Sequence, residues 1–140
     1  MQDEQRRQLL REIIAEFRAN GGQVSGPWAG RNLLLLTTIG VRSGRSRTWP
    51  MTYLRDGDQL VVFAANSGRP KRPGWYYNLR AHPAATVEVG PDIVPVVATF
   101  VEGPERQRLW ERQLTETPFL ADFEADNGRQ IPVVRLTPTS

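Results

Sequence analysis

A glycine-containing loop in the first half of the chain carries the residue types that bind anions. Over residues 38–47 it combines two glycines with Arg42, Ser43 and Arg47. Glycine adopts positive φ at little cost, so successive backbone amides in such a loop can converge on an anion. Arginine can hold a phosphate or a carboxylate through two parallel hydrogen bonds. The loop is therefore a candidate anion site, and a tight arginine-rich hairpin turn is the alternative interpretation.

A second loop, over residues 66–78, joins cations to the start of a predicted short helix. Its sequence is NSGRPKRPGWYYN, and the first amides of a helix favour anions. Trp75 and Tyr76 follow the cations directly, which suits a wall against which a planar ligand stacks. The alternative for both aromatic residues is an ordinary core position.

The chain offers few side chains that perform chemistry by themselves. It contains no cysteine and a single histidine, His82, whose place before Pro83 at the predicted end of a helix favours a structural role. Thiolate chemistry, disulfides and iron–sulfur clusters are thereby excluded, and no carboxylates in the β region show the spacing of metal ligands. Nucleophile elbows, P-loops and dinucleotide-binding glycine motifs are also missing. If the protein is an enzyme, a bound cofactor must supply the chemistry.

Positive charge is concentrated in the segment that contains both loops. The formal net charge of the 140 residues is +3, but residues 31–72 hold eight basic and two acidic residues. That segment alone carries +6, which leaves −3 for the rest of the chain. Such a distribution indicates a site for an anionic partner, with a solvated arginine-rich surface as the alternative. Nucleic acid is disfavoured as that partner, because the aromatic residues are scattered and no recognition helix or RNA-binding motif is present.

An amphipathic helix is predicted over residues 3–19. Leu10, Ile13 and Phe17 recur at helical spacing, and the Asn-Gly-Gly sequence at 20–22 is a strong stop signal. The apolar face can pack on the rest of the domain, or the helix can lie on an anionic membrane surface, and packing is the more common outcome. Residues 1–22 are interpreted as an N-terminal helix and a glycine-rich connector.

The remainder of the chain has the alternating pattern of β-hairpins, with short helices between them. Because hairpins join antiparallel strands, we expect an antiparallel sheet with peripheral helices, of the α+β class but mainly β. A small closed or half-closed β-barrel accounts for the strands, and residues 1–140 are interpreted as one domain. Pro50 places its strand at a sheet edge or a bulge, because proline cannot donate a hydrogen bond to a neighbouring strand. Strands are predicted over residues 33–38, 47–55, 59–65, 85–89, 93–101 and 131–136, and helices over residues 74–81, 104–114 and 118–125.

No apolar segment has the length that a membrane span requires. The longest unbroken apolar runs, at 33–36 and 60–65, are far shorter than the roughly 20 residues of a transmembrane helix. The N-terminus leads into no apolar region of the signal-peptide type. With no cysteine in the chain, a reducing cytoplasm is the expected compartment, and the N-terminal helix is the segment that suits peripheral membrane contact.

Together with neighbouring residues, the two loops resemble the deazaflavin-dependent nitroreductase family, a branch of the split β-barrel flavin and deazaflavin oxidoreductases. The matching motifs are T-x-G-x-x-S-G-x-x-R over residues 38–47, Pro50, G-x-P-K-x-P-x-W-Y-x-N over 68–78, N-L-x-A-x-P over 78–83 and IPVV over 131–134. The resemblance extends from residue 17 to residue 138, in order and without large gaps. The composition, with one lysine among 18 basic residues, is also typical of actinobacteria.

The resemblance implies coenzyme F-420 as the cofactor, an 8-hydroxy-5-deazaflavin that carries a phosphodiester and an oligoglutamate tail. It implies that a hydride passes from carbon 5 of the reduced ring to an acceptor, so that no side chain is required as a general acid. Arg42 stands where the family often has lysine, and residues 65–67 replace a Ser-Lys-Gly sequence, so one lysine contact is missing. The implied cofactor-binding residues are Arg42, Ser43, Gly44 and Arg47 for the phosphate and tail, Thr48, Trp49, Pro50 and Met51 beside the ring, Ala64, Ala65, Asn66, Ser67, Gly68 and Lys71 in the second wall, and Gly74, Trp75, Tyr76 and Asn78 at the helix start.

On the acceptor side, the resemblance points to Trp28, Thr117, Leu120 and Phe123. Family members that reduce bicyclic nitroimidazoles carry tyrosines before the final strand, where this chain has the last three of these residues. The resulting pocket is more apolar, which favours a quinone or another flat hydrophobic acceptor over a nitroimidazole. Split barrels usually pair through a sheet face, so a homodimer is also expected.

Two other functions remain open at the level of sequence. An FMN-binding split-barrel oxidoreductase would share the fold, although the loop motifs favour the deazaflavin over FMN. A deazaflavin-binding or carrier protein without catalysis of its own would show the same binding motifs.

Overall fold

Seven strands of the described chain form a single antiparallel sheet, with four α-helices around it. The computed structural model describes residues 3–139, except for the side chains of Asp3 and Ser67. The predicted antiparallel, mainly β architecture with peripheral helices is confirmed. The helices are α1 (Asp3–Ala19), α2 (Gly74–Ala81), α3 (Gly103–Glu116) and α4 (Leu120–Asn127), and short 3₁₀ turns occupy Gly26–Trp28 and Asn66–Gly68. The strands are β1 (Leu33–Ile39), β2 (Ser46–Thr52), β3 (Leu54–Asp56), β4 (Gln59–Phe63), β5 (Ala84–Val89), β6 (Asp92–Val101) and β7 (Val133–Pro138).

The sheet curls until its two edges meet. β2 and β3 lie at opposite ends of the strand order β2-β1-β5-β6-β7-β4-β3. Only Tyr53 separates the end of β2 from the start of β3. Because consecutive Cα atoms are about 3.8 Å apart, the two edges must be neighbours in space. The half-closed barrel is therefore confirmed, whereas the prediction of one continuous strand over residues 47–55 is wrong at Tyr53.

Strand β1 is apolar on both faces because the sheet is covered on both sides there. Leu34 and Leu36 pack in the barrel core, whereas Leu33 and Leu35 contact the apolar face of α1. This explains the uninterrupted run of leucines, since a strand buried on both faces needs no alternation. The predicted common face of β2 also packs against the barrel core, through Trp49, Met51 and Tyr53.

The predicted helix over residues 3–19 is confirmed as α1, and its apolar face packs on the barrel. Ile13 and Phe17 are buried against β1. An ion pair of 2.9 Å between Arg18 and Glu88 joins the end of α1 to β5. Pro50 of β2 pairs with Leu35 of β1, and the predicted edge position of the strand that contains Pro50 is confirmed.

Asp56, at the end of β3, is the centre of an ion-pair cluster that ties this sheet edge to α3. The Asp56 carboxylate lies 2.8 Å from Arg108, 3.0 Å from Arg112 and 3.9 Å from Arg135. The hydrogen bond from Arg108 is the main reason why the pKa of Asp56 lies below its ordinary value. The charges of the other two arginines lower that pKa further.

We expect Asp56→Asn to lower the free energy of unfolding at pH 7 by about 1 kcal/mol, because partly exposed ion pairs each contribute little. A carboxylate whose pKa is lowered by folding stabilises the protein above the pKa of the unfolded state. That contribution disappears as the pH falls through the folded-state pKa. The difference between wild type and variant should therefore shrink from pH 7 to about pH 3, as measured by urea unfolding. Asp58→Asn is the control, because Asp58 has no ion pair in the described chain. If the free energy of unfolding of Asp56→Asn differs from that of wild type by the same amount at every pH, the prediction is contradicted.

Candidate functional site

The loop between β1 and β2 and the start of α2 enclose a cavity of about 560 Å³. This volume lies within the range of about 300–1,000 Å³ that is typical of ligand pockets. We call it the loop cavity, and it is lined by Gly40, Val41, Arg42, Ser43, Arg47, Trp49, Gly74, Tyr77 and Asn78.

Backbone hydrogen bonds hold the β1–β2 loop in a tight turn. The N–H of Gly40 donates to the carbonyl of Arg45 (2.8 Å), and the N–H of Gly44 donates to the carbonyl of Gly40 (3.0 Å). Gly44 has a φ of +69°, which favours glycine, and a Cβ on Gly40 would lie 2.6 Å from Ser43 Oγ. Arg42 therefore projects from a turn whose shape depends on both glycines, and Arg47 follows that turn in β2.

Asn78 fastens this loop to α2. Its side chain is buried (7% exposed), and its Oδ1 accepts a hydrogen bond from the N–H of Val41 at 3.2 Å. Its Nδ2 donates to Thr38 Oγ1 at 2.9 Å. Asn78 borders the loop cavity, but both ends of its amide are engaged by the protein. Its contribution is therefore to position the loop.

The cations beside the loop have no acidic partners in the described part of the chain. Arg42, Arg47 and Lys71 are exposed and form no ion pair with any described carboxylate. By contrast, Arg18 pairs with Glu88, and Arg106 lies 2.7 Å from Glu124. Guanidinium and ammonium groups without partners are available for the oxygens of a phosphate or a carboxylate.

A second cavity, of about 480 Å³, adjoins the loop cavity at Trp49 and Gly74, which border both. Aromatic and apolar side chains form much of its wall. We call the two neighbouring cavities together the groove: Arg42 and Arg47 line its loop cavity, whereas its other cavity combines aromatic side chains with Arg6, Arg7, Lys71 and Arg72. We call the second one the aromatic cavity, and it is lined by Arg6, Arg7, Leu10, Trp28, Trp49, Pro50, Met51, Thr52, Phe63, Ala65, Asn66, Lys71, Arg72, Pro73, Gly74 and Trp75.

Side-chain hydrogen bonds fix the second loop, which forms one wall of the aromatic cavity. Asn66 Nδ2 donates to the carbonyl of Lys71 at 2.8 Å. Asn127 Nδ2 donates to the carbonyl of Gly68 at 3.2 Å, and Arg129 donates to the carbonyl of Pro70. The wall thus keeps its shape through contacts within the protein, and the Asn66 amide nitrogen is part of them.

Most of the predicted site residues line this groove. The second sequence motif and the glycine loop, far apart along the chain, meet at the start of α2. The predicted residues that border one or both cavities are Trp28, Arg42, Ser43, Arg47, Trp49, Pro50, Met51, Ala65, Asn66, Lys71, Gly74, Trp75 and Asn78.

Other predicted cofactor-binding residues do not line the groove. Gly44 shapes the turn, and Thr48 Oγ1 lies 2.8 Å from Thr37 Oγ1 of the neighbouring strand. Ala64 is buried in the barrel core. The Ser67 side chain lies outside the described residues.

Gly68 and Tyr76 have structural surroundings of their own. A Cβ on Gly68 would lie 2.8 Å from the ring of Phe123, so glycine allows α4 to approach the loop. Tyr76 makes an edge-to-face contact with Phe100, with ring centroids 5.6 Å apart. It borders a separate cleft, which also contains Arg80.

Three of the predicted acceptor-side residues lie away from the groove. Leu120 is buried (5% exposed) in a cluster with Trp110 and Ile131. Phe123 packs against the 3₁₀ turn of the second loop. Thr117 borders a separate, polar cavity. Leu120 and Phe123 lie away from the groove because α4 faces the protein interior and the second loop, whereas Thr117 directly follows α3.

Several residues that the sequence analysis did not predict also line the groove. Those from the second loop and α2 lie inside or beside the recognised motif, so the motif was a signal for them. For the residues of α1, the helical pattern indicates a buried face but not which neighbour that face meets. The unpredicted lining residues are Arg6, Arg7, Leu10, Gly40, Val41, Thr52, Phe63, Arg72, Pro73 and Tyr77.

Within the described residues 3–139, no helix combines the length and the apolar character needed to cross a membrane. The same part of the chain contains no group of three or more histidine, cysteine, aspartate or glutamate side chains placed to hold a metal ion.

Comparison with known proteins identifies the family. Residues 9–138 match the family model described as F420H(2)-dependent quinone reductase. The chain belongs to this family. A quinone reductase of the same description from Mycobacterium tuberculosis is 38% identical over 135 residues, which cover 93% of this chain and 90% of that protein.

Two solved structures are also similar to this quinone reductase family member. One, described as an F420-H2 dependent reductase, has a TM-score of 0.69 and 32% sequence identity, covering 76% of this chain and 94% of that chain. The other, described as a domain-swapped dimer, has a TM-score of 0.72 and 30% sequence identity. The match covers 96% of this chain and 97% of that chain. The predicted split-barrel oxidoreductase that depends on coenzyme F-420 is confirmed as a family assignment, and the mycobacterial relative agrees with the actinobacterial composition.

Proposed function

We propose that the protein transfers a hydride from reduced coenzyme F-420 to a quinone. The observation that carries the proposal is the groove, which joins an aromatic cavity to a cavity lined by arginines without acidic partners. The cofactor needs both kinds of surface, because its flat ring is attached to an anionic tail. The class of acceptor follows from the Mycobacterium tuberculosis relative, which is described as a quinone reductase.

The residues of the loop cavity fit the anionic part of the cofactor. Arg42 and Arg47 would hold phosphate and carboxylate oxygens through charge-assisted hydrogen bonds. Ser43 Oγ already accepts a hydrogen bond from the N–H of Arg45 at 3.2 Å, which leaves its own proton to donate to an anion. Lys71 adds a positive charge from the opposite loop.

The aromatic cavity fits the ring and the acceptor. Trp49, Pro50 and Met51 of β2 would contact one side of the ring, and Ala65 and the second loop would form the other wall. Bound there, the reduced deazaflavin supplies the hydride, and the protein supplies orientation and exclusion of water. Burial of a flat acceptor contributes about 25 cal/mol for each Å² of apolar area removed from water.

Binding and turnover experiments test this function. We expect F-420 to bind more tightly than FMN and to lose affinity as salt rises, because its tail carries several charges. We also expect reoxidation of the reduced cofactor, followed by absorbance, when a quinone is added. Equal affinities for F-420 and FMN would overturn the cofactor preference. Tight F-420 binding without turnover of any quinone would favour the carrier function instead.

We expect Arg47→Ala to weaken F-420 binding by about 1–3 kcal/mol, the scale of a lost hydrogen bond to a charged group. Arg47 is exposed, so its loss should leave the unfolding temperature unchanged. Arg45→Ala is the matched control, because Arg45 is an exposed arginine two residues before Arg47 that does not line either cavity. Fluorescence titrations of the three proteins at low and high salt measure the effect, and equal losses for both variants would refute a specific contact at Arg47.

The preference for quinones over bicyclic nitroimidazoles stays a prediction. Trp28, Met51 and Phe63 offer no phenolic hydroxyl that could hydrogen-bond a nitro group. A site without the hydrogen bonds that a substrate needs can lose orders of magnitude in rate with that substrate.

We infer that the chain forms a homodimer, on two grounds. A similar solved structure is described as a domain-swapped dimer. Ile93 and Val97, which alternate with the core residues of β6, are exposed on its outer face. Light scattering coupled to size-exclusion chromatography tests the inference.

Membrane contact through α1 and a cytoplasmic location remain predictions, and the apolar face of α1 is already packed on β1.

A further inference from the structure

The buried face of α1 carries an arginine where it reaches the aromatic cavity. Arg6, Leu10, Ile13 and Phe17 stand at i, i+4, i+7 and i+11, which is the spacing of one helix face. Ile13 and Phe17 are buried against β1, whereas Arg6 and Leu10 are partly buried and line the aromatic cavity. A position that the pattern would fill with an apolar side chain therefore holds a guanidinium group.

Arg6 lacks the described side-chain partners that Arg11 and Arg18 of α1 have, and it is partly buried, whereas Arg7, which also has none among the described residues, is exposed. Arg11 donates a hydrogen bond to Gln8 at 2.8 Å, and Arg18 pairs with Glu88 at 2.9 Å. Arg6 forms no hydrogen bond or ion pair with any side chain that the structure describes. Partial burial of a charge without a partner is unfavourable, and a bound group with negative charge would offset that cost.

The position of Arg6 points to the acceptor as that group. The anionic tail of the cofactor has Arg42 and Arg47 in the loop cavity, to which α1 contributes no residue. In the aromatic cavity, α1 contributes Leu10 next to the cation, and Trp28 lines the same space. Arg7 lines this cavity too but is exposed, whereas Arg6 is partly buried. Apolar and aromatic surfaces beside a partly buried cation suit a flat, uncharged molecule that gains a negative charge when it reacts.

We propose that Arg6 binds a carbonyl oxygen of the quinone and stabilises the negative charge that this oxygen acquires on reduction. The inference rests on the proposed quinone reductase function. The quinone gains the hydride and both of its electrons, the deazaflavin ring is oxidised, and the negative charge settles on a quinone oxygen. One proton from water then completes the hydroquinone. The guanidinium donates hydrogen bonds to the oxygen and keeps its own protons throughout.

Steady-state kinetics with a soluble quinone and reduced F-420 test this role. We expect Arg6→Met to lower kcat/KM for the quinone about tenfold to hundredfold, somewhat less than the loss of a buried oxyanion-binding group. Arg6→Lys should recover part of the rate, because it keeps the charge. Arg11→Met also removes one positive charge from α1, but Arg11 lines neither cavity, so this variant should leave kcat/KM for the quinone unchanged. The dissociation constant of F-420 should be the same in all three variants.

A series of quinones separates a contact with the oxygen from a general structural effect. The loss in Arg6→Met should be largest for quinones whose reduced oxygen is most basic, since a localised charge gains most from the cation. An equal loss for every quinone, an unchanged kcat/KM, or a parallel loss of F-420 affinity would each overturn the proposal. If the wild-type protein binds F-420 but reduces no quinone, the proposed function itself fails, and this inference fails with it.

Discussion

Replacing Gly74 by phenylalanine should abolish binding of coenzyme F-420 while the barrel remains folded. Gly74 is exposed at the start of α2 and borders both the loop cavity and the aromatic cavity. A Cβ there would lie 3.8 Å from Trp49 Cζ2, an ordinary contact. A phenyl ring on that Cβ would fill the junction between the cavities. The cofactor would then lose either its ring contacts or its tail contacts.

We expect the F-420 dissociation constant to rise more than about hundredfold in Gly74→Phe, which corresponds to about 2.7 kcal/mol. Gly74→Ala is the matched control and should bind within about threefold of wild type, or about 0.7 kcal/mol. The φ of Gly74 lies outside the left-handed region, and most residues favour a helix more than glycine does, so neither variant should unfold at a lower temperature. Fluorescence titration and thermal unfolding measure both quantities. Wild-type affinity in Gly74→Phe would show that the cofactor lies outside this groove.

Much of the fold could be predicted because local patterns mark its elements. The amphipathic spacing and the Asn-Gly-Gly stop define α1, and glycine turns such as Gly57 define hairpins. The passage of the chain between the two sheet edges at Tyr53 leaves no such mark. Apolar and polar residues alternate through β2 up to Tyr53, and closure of the sheet depends on contacts between strands distant in sequence. A strand boundary of this kind follows from the tertiary structure alone.

The two halves of the site also differ in whether a local sequence pattern or the tertiary structure determines them. The loop cavity could be predicted, because one short segment supplies the turn, its glycines and Arg42 and Arg47 together. The acceptor side depends on how helices dock. Leu120 lies on a helix whose existence was predicted correctly, yet its side chain faces the interior. Arg6 lies on another correctly predicted helix and lines the groove. Spacing along a helix indicates which residues share a face and leaves open what that face meets.

Substitutions of Asn78 should separate the stability of the loop from its charge. Asn78→Leu removes the partner of Thr38, whose side chain is buried at 1% exposure, and frees the N–H of Val41. Leaving a buried hydroxyl without a hydrogen bond costs about 1–3 kcal/mol. We expect a loss of about 2 kcal/mol in the free energy of unfolding, together with weaker F-420 binding, because the loop is no longer fastened to α2.

Asn78→Asp keeps the hydrogen bonds but changes the charge. A carboxylate accepts from the N–H of Val41, and the Thr38 hydroxyl can rotate to donate to the second carboxylate oxygen. The new negative charge lines the loop cavity with Arg42 and Arg47, where it competes with the cofactor tail for the same cations. Urea unfolding should show a smaller loss than for leucine, whereas the F-420 dissociation constant should rise about tenfold at low salt and less at high salt. Because leucine disturbs the loop and aspartate disturbs its charge, wild-type affinity in the aspartate variant would mean that the anionic tail is held away from this loop.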